Sequence, residues 1–244
     1  MLKLITIITK FIVVALTALF LGSCTHTFNS IEGSGNVTTQ KRDVSTNFSS
    51  IEVNNSIEVI LEQSDKTEVL VETDDNLQEH LTTTVENGTL VISLDHVSIN
   101  DAGSLKVIVK MPNIDDLEAS SSASIESKNL IISEDVQLKT SSGGSITLNI
   151  ESDKLSCDTS SGSSIMIEGK ALELKTTASS GSEIRGKQLM ANEVKADVSS
   201  GASITVYPIV SLTAEASSGG NISFYNTPKR LQKNTSSGGS ISAN

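Results

Sequence analysis

The sequence predicts an all-β protein, a β-helix solenoid of about 19-residue coils with a β-rich N-terminal cap. Three observations predict it: a motif that occurs seven times, a near-constant spacing between its copies, and period-two alternation of apolar residues around it. The motif is Ser-Ser, two small residues, one polar residue and isoleucine. Its closing isoleucines, which lie 21, 19, 19, 20, 18 and 19 residues apart, are Ile125, Ile146, Ile165, Ile184, Ile204, Ile222 and Ile241.

The spacing suits one turn of a β-helix, because helix-pair repeats need about 33 residues or more. Ile146, Leu148 and Ile150 alternate with polar residues after one motif, and Leu155 and Cys157 alternate about ten residues after the start of that run. Stacked coils place equivalent residues about 4.8 Å apart, so small residues fit at the corner and the isoleucines form an internal ladder. Glycine occupies the third motif position in six of the seven copies, which predicts a positive φ or a close backbone approach there.

Residues 119–244 are therefore assigned to the repeat coils, and residues 46–118 to an N-terminal β-rich part of the same domain. In that part, Asn55-Ser56-Ile57 resembles a degenerate corner, and Asn87-Gly88 between two apolar runs predicts a hairpin. The strand that ends at Met111 is stopped by Pro112. A short helix is expected over Asp74–Leu81, because Leu77 and Leu81 lie four residues apart.

Residues 1–23 are predicted to be a lipoprotein signal peptide, with the positive charges of Lys3 and Lys10 before an apolar run from Phe11 to Leu21. The sequence Leu21-Gly22-Ser23-Cys24 resembles a bacterial lipobox, which implies cleavage before Cys24 and lipid attachment to it. The alternative is an ordinary signal peptide with a chance cysteine. Residues 24–45 are predicted to be a flexible tether. Thr25 after the cysteine favours, by analogy, an outer-membrane lipoprotein that faces the periplasm or the medium.

Loss of residues 1–23 would leave 16 basic and 29 acidic residues, a net charge of −13. This acidity argues against nucleic acid as a partner and against adhesion to anionic membranes by charge. With Cys24 lipidated, Cys157 has no cysteine to pair with and is predicted to be a small buried core residue. Aromatic residues make up only 3% of the chain, which weakens a sugar-stacking function.

Residues able to perform catalysis or bind metal are sparse. The three histidines, His26, His80 and His96, form no ligand pair and are predicted to be solvated, so neither a zinc site nor a cofactor is expected. Asp158 and Asp197 fall in comparable strands two coils apart, with no acid in the coil between them. The prediction is a protein without catalytic or metal-binding residues, and the ligand-binding residues stay unknown.

Several segments together resemble a known family: Phe48-Ser49-Ser50-Ile51-Glu52-Val53, the hairpin Glu86-Asn87-Gly88-Thr89-Leu90, the strand end Met111-Pro112, and the Ser/Gly corners with isoleucine. Over residues 46–244 the chain is similar to the head GIN domain family, described as auto-transporter adhesin heads and including many lipoproteins of Bacteroidetes. The resemblance implies a right-handed parallel β-helix, similar in outline to pectin lyases, and no established catalytic residues.

The leading hypothesis is a non-enzymatic, lipid-anchored cell-envelope protein that acts as an adhesin or binding module on an envelope protein or glycan. One alternative is a structural or assembly partner of another envelope protein. Another is a degenerate or active polysaccharide-processing enzyme. Because no capping element follows the seventh motif, the last coil is expected to pack against the N-terminal half or to form a homo-oligomer through its open edge.

Overall fold

In a computed structural model of the chain, the structure describes Lys10, residues 30–95 and residues 98–244. The predicted lipid-attachment residue Cys24, together with His26, His96 and the predicted signal peptide apart from Lys10, lies outside the described residues. No helix in the described part of the chain is long and apolar enough to cross a membrane.

The described residues form nineteen β-strands and one short 3-10 turn. Their bounds are β1 Ser30–Glu32, β2 Val37–Arg42, β3 Ser50–Val53, β4 Glu58–Gln63, β5 Glu68–Asp74, the 3-10 turn Asp75–Leu77, β6 Leu81–Glu86, β7 Thr89–Leu94, β8 Ser98–Asn100, β9 Leu105–Met111, β10 Asp116–Ala119, β11 Ser124–Ser127, β12 Ile131–Thr140, β13 Ser145–Thr159, β14 Ser164–Ala178, β15 Glu183–Val198, β16 Ser203–Ala216, β17 Asn221–Phe224, β18 Arg230–Thr235 and β19 Ser240–Ala243.

The repeat region is a parallel β-solenoid, as predicted, with about seven turns of about 19 residues. Each coil pairs in register with the next, so that β13 pairs with β14, β14 with β15 and β15 with β16. The motif isoleucines stack in one row, which Val59 and Val107 extend into the N-terminal part. All but the last isoleucine, Ile241, are buried, and Ile241 packs partly buried against the same core. The row therefore forms the predicted aliphatic ladder, with each buried side chain contributing roughly 1.5–3 kcal/mol.

Cys157 is a core residue, as predicted. It stacks between Leu138 and Thr176 on the inward side of β13, near the end of that strand, and all three side chains are buried.

The Ser-Ser-Gly corners are tight turns in which two consecutive residues have positive φ. The second serine has φ of 47–54° and the third residue, glycine in six copies, has φ of 63–78°. Two successive positive φ values define a type I′ turn, and Gly144 N–H donates to Ser141 C=O across one corner at 2.8 Å. The positive φ predicted for glycine is confirmed, whereas that of the serine was not predicted. Coil-to-coil backbone bonds, such as Gly143 N–H to Ser161 C=O at 3.2 Å, hold the serine in this conformation.

The hydroxyl groups that bond between coils lie inside the corner. The Ser163 Oγ lies 2.9 Å from the Thr140 Oγ1, and the Ser182 Oγ lies 2.8 Å from the Thr159 Oγ1. All four residues are buried, so these bonds satisfy polar groups that water does not reach.

The first coil of the solenoid is formed by β3 and β4, far from the repeats in sequence. Asn55 and Ser56 turn between the two strands with φ of 61° and 59°, which confirms the degenerate corner. The two strands pair in parallel with β10 and β11 on one side and with β7 and β9 on the other. Strands β6, β5 and β2 then add antiparallel, so the N-terminal cap is a mixed sheet. The predicted hairpin at Asn87-Gly88 joins β6 to β7.

Two local predictions are wrong. The tether expected over residues 24–45 is not flexible from Ser30 onward, because β1 pairs with β8 and β2 pairs with β5. The Arg42 guanidinium also donates to the C=O and side chain of Gln78 at 2.5 and 2.9 Å, and its partial burial lowers the pKa of Arg42. The helix expected over Asp74–Leu81 is only one 3-10 turn, since Leu77 is buried from that turn and Leu81 from the start of β6.

A buried carboxylate at the end of β5 connects two loops of the cap to that strand. One oxygen of Asp74 accepts the N–H of Gly35 at 2.6 Å, and the other accepts the N–H of Gly103 at 2.7 Å. These bonds attach the segment before β2 and the segment before β9 to the end of β5, which explains why the start of the described chain is part of the fold.

The last coil stacks on the previous one and on nothing else described. Strand β18 pairs with β16 and β19 pairs with β17, and neither pairs with a strand of the cap in the described chain. The expectation that this end packs against the N-terminal half is therefore wrong. Association through this edge with another subunit stays a prediction.

Candidate binding groove at the coil bends

Midway along each of the long strands β13 to β16, the alternation of buried and exposed residues is interrupted. This part of a coil is called its bend, and the bends stack into columns of side chains along the solenoid. Ile132, Glu151, Lys170 and Met190 form one such column in successive coils. Because the coils are rigidly paired on both sides of the bend, side chains in a column are held about 4.8 Å apart.

Large aliphatic side chains are exposed at these bends. The exposed fraction is 63% for Ile132, 51% for Leu172 and 47% for Met190. With Ile209 they line a groove of about 650 Å³ across five coils. This surface, lined by Ile132, Glu134, Asp153, Leu172, Met190 and Ile209, is called the bend groove below. Exposed aliphatic side chains that cluster in a concave surface are typical of interaction sites. Single exposed aliphatic residues scattered over a surface are not.

The bend groove also carries charged side chains, most of them acidic. It contains the carboxylates of Glu134, Glu151 and Asp153 and one cation, Lys170. The Lys170 Nζ lies 3.1 Å from the Glu151 Oε1, but both side chains are largely exposed. Such a pair contributes little to stability, so it can open to a ligand at low cost.

A second concavity continues the bend groove toward the cap. It has a volume of about 940 Å³, shares Ile132 and Glu134 with the bend groove, and adds Asp115, Asp116 and Asp135. Lys139 Nζ binds the Asp116 carboxylate at 2.9 Å, and this hydrogen bond raises the pKa of Lys139. The two concavities form one surface whose apolar centre lies over the coils and whose acidic end lies at the cap.

The outward side chains in the second halves of the long strands β12 to β15 carry mixed charge. Asp158 and Asp197 lie in one outward row, separated by Thr177 as the sequence indicated. In the same row nearer the cap, burial raises the pKa of Glu118, and the charge of Glu52 adds to the effect.

The residues that the sequence offered as candidates for catalysis or metal binding lie apart from one another in the structure. His80 lies partly exposed with its Nε2 3.8 Å from a carboxylate oxygen of Glu79, and burial raises the pKa of the Cys157 thiol far above its usual range. Within residues 30–95 and 98–244, no three His, Cys, Asp or Glu side chains are grouped so that they could hold a metal ion. Asp74, expected at the start of a short helix, is instead the buried carboxylate of the cap.

The bend groove was not predicted from the sequence, although a signal for it is present. Ile131-Ile132 and Leu189-Met190 are pairs of adjacent apolar residues at the same point of their coils, and Ala171-Leu172 is another pair two residues further along its own coil. In a strand, neighbouring side chains point to opposite faces, so one member of each pair must face solvent. Ile131, Ala171 and Leu189 are the buried members.

Comparison with known proteins agrees with the fold. The model of one protein family, described as "Putative auto-transporter adhesin, head GIN domain", matches residues 47–228. Crystal structures of a "putative adhesin" from Bacteroides fragilis and a "putative lipid binding protein" from Parabacteroides distasonis have TM-scores of 0.82 and 0.75, with 19% and 23% identity. A "putative adhesin" from Parabacteroides merdae has a TM-score of 0.72 and 18% identity.

Each comparison covers 88% of this chain, and 100%, 100% and 99% of the three solved chains, respectively. At these identities the structural likeness establishes the fold alone. Among curated proteins, none matches the chain.

Proposed function

The chain belongs to the head GIN domain family, and from this premise we propose that it is a non-enzymatic, lipid-anchored adhesin or binding module of the cell envelope. The family and the similar solved structures are described as adhesins or as a lipid-binding protein, not as enzymes. The observation that carries the proposal is the bend groove, in which exposed or partly exposed aliphatic side chains from four of five neighbouring coils line one concave surface on a rigid support.

The geometry of the groove suits an extended ligand. Ile132 and Met190 lie in one column, three coil steps or about 14 Å apart at the spacing of paired strands. This length equals about four residues of extended peptide or a short oligosaccharide. Burial of Ile132, Leu172 and Met190 against a ligand would contribute the apolar part of the binding free energy. The carboxylates of the groove would select the orientation of the ligand.

Attachment to the membrane is proposed through Cys24. The sequence Leu21-Gly22-Ser23-Cys24 has the pattern of a lipobox. More than one acyl chain gives stable anchoring, whereas a single chain gives only marginal binding. We expect radiolabelled palmitate to be incorporated into the wild type and not into Cys24→Ala, with the wild type in the outer-membrane fraction. Equal labelling of both proteins would contradict the lipid anchor.

Adhesion through the bend groove is tested with a charge placed among its aliphatic side chains. In a deletion strain, the double variant Leu172→Glu/Met190→Glu should fail to restore attachment of cells to envelope glycans extracted from the same strain. The matched control is Met166→Glu, because Met166 is 41% exposed near the start of β14 and does not line the groove. The control should restore attachment fully.

Two results would contradict the proposal. Unchanged attachment of the deletion strain would remove adhesion as the function. Equal attachment with the groove variant and the control would leave adhesion standing but remove the bend groove as its surface. Both variants must be present in equal amounts at the envelope, which immunoblotting checks.

A further inference from the structure

The last coil, formed by β18 and β19, differs from earlier coils because a lysine stands in an inward row. The row consists of Cys157, Thr176, Ala196 and Ala214, all buried, and continues in register to Lys233. Lys233 is exposed only because no further coil covers it among the described residues. An added coil would therefore enclose a cation.

Next to Lys233, the end of the core is apolar. Leu231 continues the row of Leu212, and the exposed fraction rises from 1% at Leu212 to 40% at Leu231. The Lys233 Nζ lies 5.9 Å from the centroid of the Phe224 ring. Phe224 belongs to β17, so the lysine side chain extends from β18 toward β17. A cation over an aromatic face is favourable, which holds Lys233 at this place.

The last coil also offers free backbone groups. Strand β18 pairs only with β16, and β19 only with β17, so the outward edges of both pair with no described strand. A free strand edge is a template for the addition of another strand, in which main-chain bonds give affinity and side chains give specificity.

The side chains of the edge define what can be added. A strand in register with β18 would place one residue over Leu231 and another, two positions on, over Lys233. The first contact requires an aliphatic residue. The second requires Asp or Glu, because enclosing an ammonium group without a counter-charge is costly, and Lys233 has no described carboxylate within 4.0 Å.

We propose that the last coil is a docking edge for an extended strand of a different protein, with an aliphatic residue and an acidic residue at positions i and i+2. This surface is separate from the bend groove and gives the chain a second contact, of the kind that an assembly partner needs.

A second copy of the chain does not fit this edge. Two last coils placed together would oppose Lys233 to Lys233. The free edge of β2 carries Lys41 and Arg42 and no acid, and the inward side of β6 carries Thr83 and Val85 in place of an acid. Charge therefore favours a partner over self-association.

The experiment uses three labelled peptides that copy residues 209–217, the segment of β16 on which β18 stacks, with Ala, Glu or Lys at position 214. In this peptide Leu212 would lie over Leu231 and position 214 over Lys233. Fluorescence anisotropy with the full chain should show that the Glu peptide binds at least ten-fold more tightly than the Ala peptide, and the Lys peptide most weakly.

Charge reversal provides the decisive control. The variant Lys233→Glu should reverse the order, so that the Lys peptide binds most tightly, and Lys233→Leu should favour the Ala peptide. Met190→Glu, in the bend groove, should leave the affinities for all three peptides unchanged. Failure of the groove proposal is therefore distinguishable from failure of the docking edge. Far-UV circular dichroism checks that the variants fold.

The proposal is overturned if the wild type binds the three peptides equally or not at all, or if Lys233→Glu leaves the order unchanged. It is also overturned if Lys233→Leu self-associates in sedimentation while no peptide binds, since Lys233 would then only prevent the edges of two copies from pairing.

Discussion

The aliphatic ladder makes the same substitution costly in the middle of the solenoid and inexpensive at its end. Ile165 is fully buried between Ile146 and Ile184, whereas Ile241 stacks on Ile222 alone and is partly exposed. The two positions share one row, one motif and one backbone conformation. The comparison of Ile165→Ala with Ile241→Ala therefore isolates the effect of having a coil on both sides.

The magnitude follows from the packing. Replacing a buried Ile by Ala costs about 2–5 kcal/mol, more when the surroundings cannot collapse into the cavity. Strands β13 and β15 hold β14 from both sides, so collapse is limited and we expect about 3–4 kcal/mol for Ile165→Ala. For Ile241→Ala we expect about 1 kcal/mol or less, since one side of the residue already faces solvent and fewer apolar contacts are lost.

Urea denaturation followed by circular dichroism measures both free energies of unfolding. Because each coil of a solenoid contacts only its neighbours, the transition can be broader than two-state, and hydrogen exchange should accompany it. The amides of β14 should lose protection first in Ile165→Ala. Ile165→Val, expected to cost about 0.5–1.5 kcal/mol, controls for any change of side chain at this position. Equal destabilisation by Ile165→Ala and Ile241→Ala would refute the ladder argument.

Four further outcomes are expected. Gly144→Ala should be strongly destabilising in thermal denaturation, because its Cβ would meet a backbone oxygen at van der Waals overlap, whereas Gly162→Ala should cost only about 1 kcal/mol, since φ is positive but the space is open. Asp74→Ala should lower the free energy of unfolding by about 2–3 kcal/mol by removing two charge-assisted hydrogen bonds, measured by urea titration. Cys157 should resist iodoacetamide until the protein unfolds, as mass spectrometry of labelled protein would report. Burial raises the pKa of Glu118, so its ionisation opposes folding at pH above that pKa; Glu118→Gln should raise the Tm at pH 7 and lose this advantage at acidic pH.

Much of the solenoid could be predicted because its chemistry repeats. The row of isoleucines and the glycine corners recur at one spacing, and even the altered corner at Asn55 and Ser56 keeps the residue types that tolerate positive φ. The sequence did not show which strands pair with the first coil. Strands β3 and β4 pair with β10 and β11 although about fifty residues separate β4 from β10, and a contact between segments so far apart leaves no periodic signal.

The cap was harder to predict for a different reason. Strand β2 is largely exposed and polar, so its sequence resembles a linker, and only its hydrogen bonds to β5 make it a strand. The bend groove was missed because alternation identifies the side chain that is buried, such as Ile131, and gives no weight to the exposed neighbour, Ile132. Lys233 could have been noticed as an exception within a row, but only once the register of β18 with β16 was known.

Because the corners of successive coils stack in register, the solenoid can become shorter or longer by one whole coil at a time. Excising nineteen residues between equivalent corners would rejoin identical turn geometry and shorten the molecule by one rung, about 4.8 Å, without disturbing either extremity. Duplication would lengthen it by the same increment. Relatives of different length are thus expected to differ by whole rungs, so that the length of the solenoid varies in discrete steps.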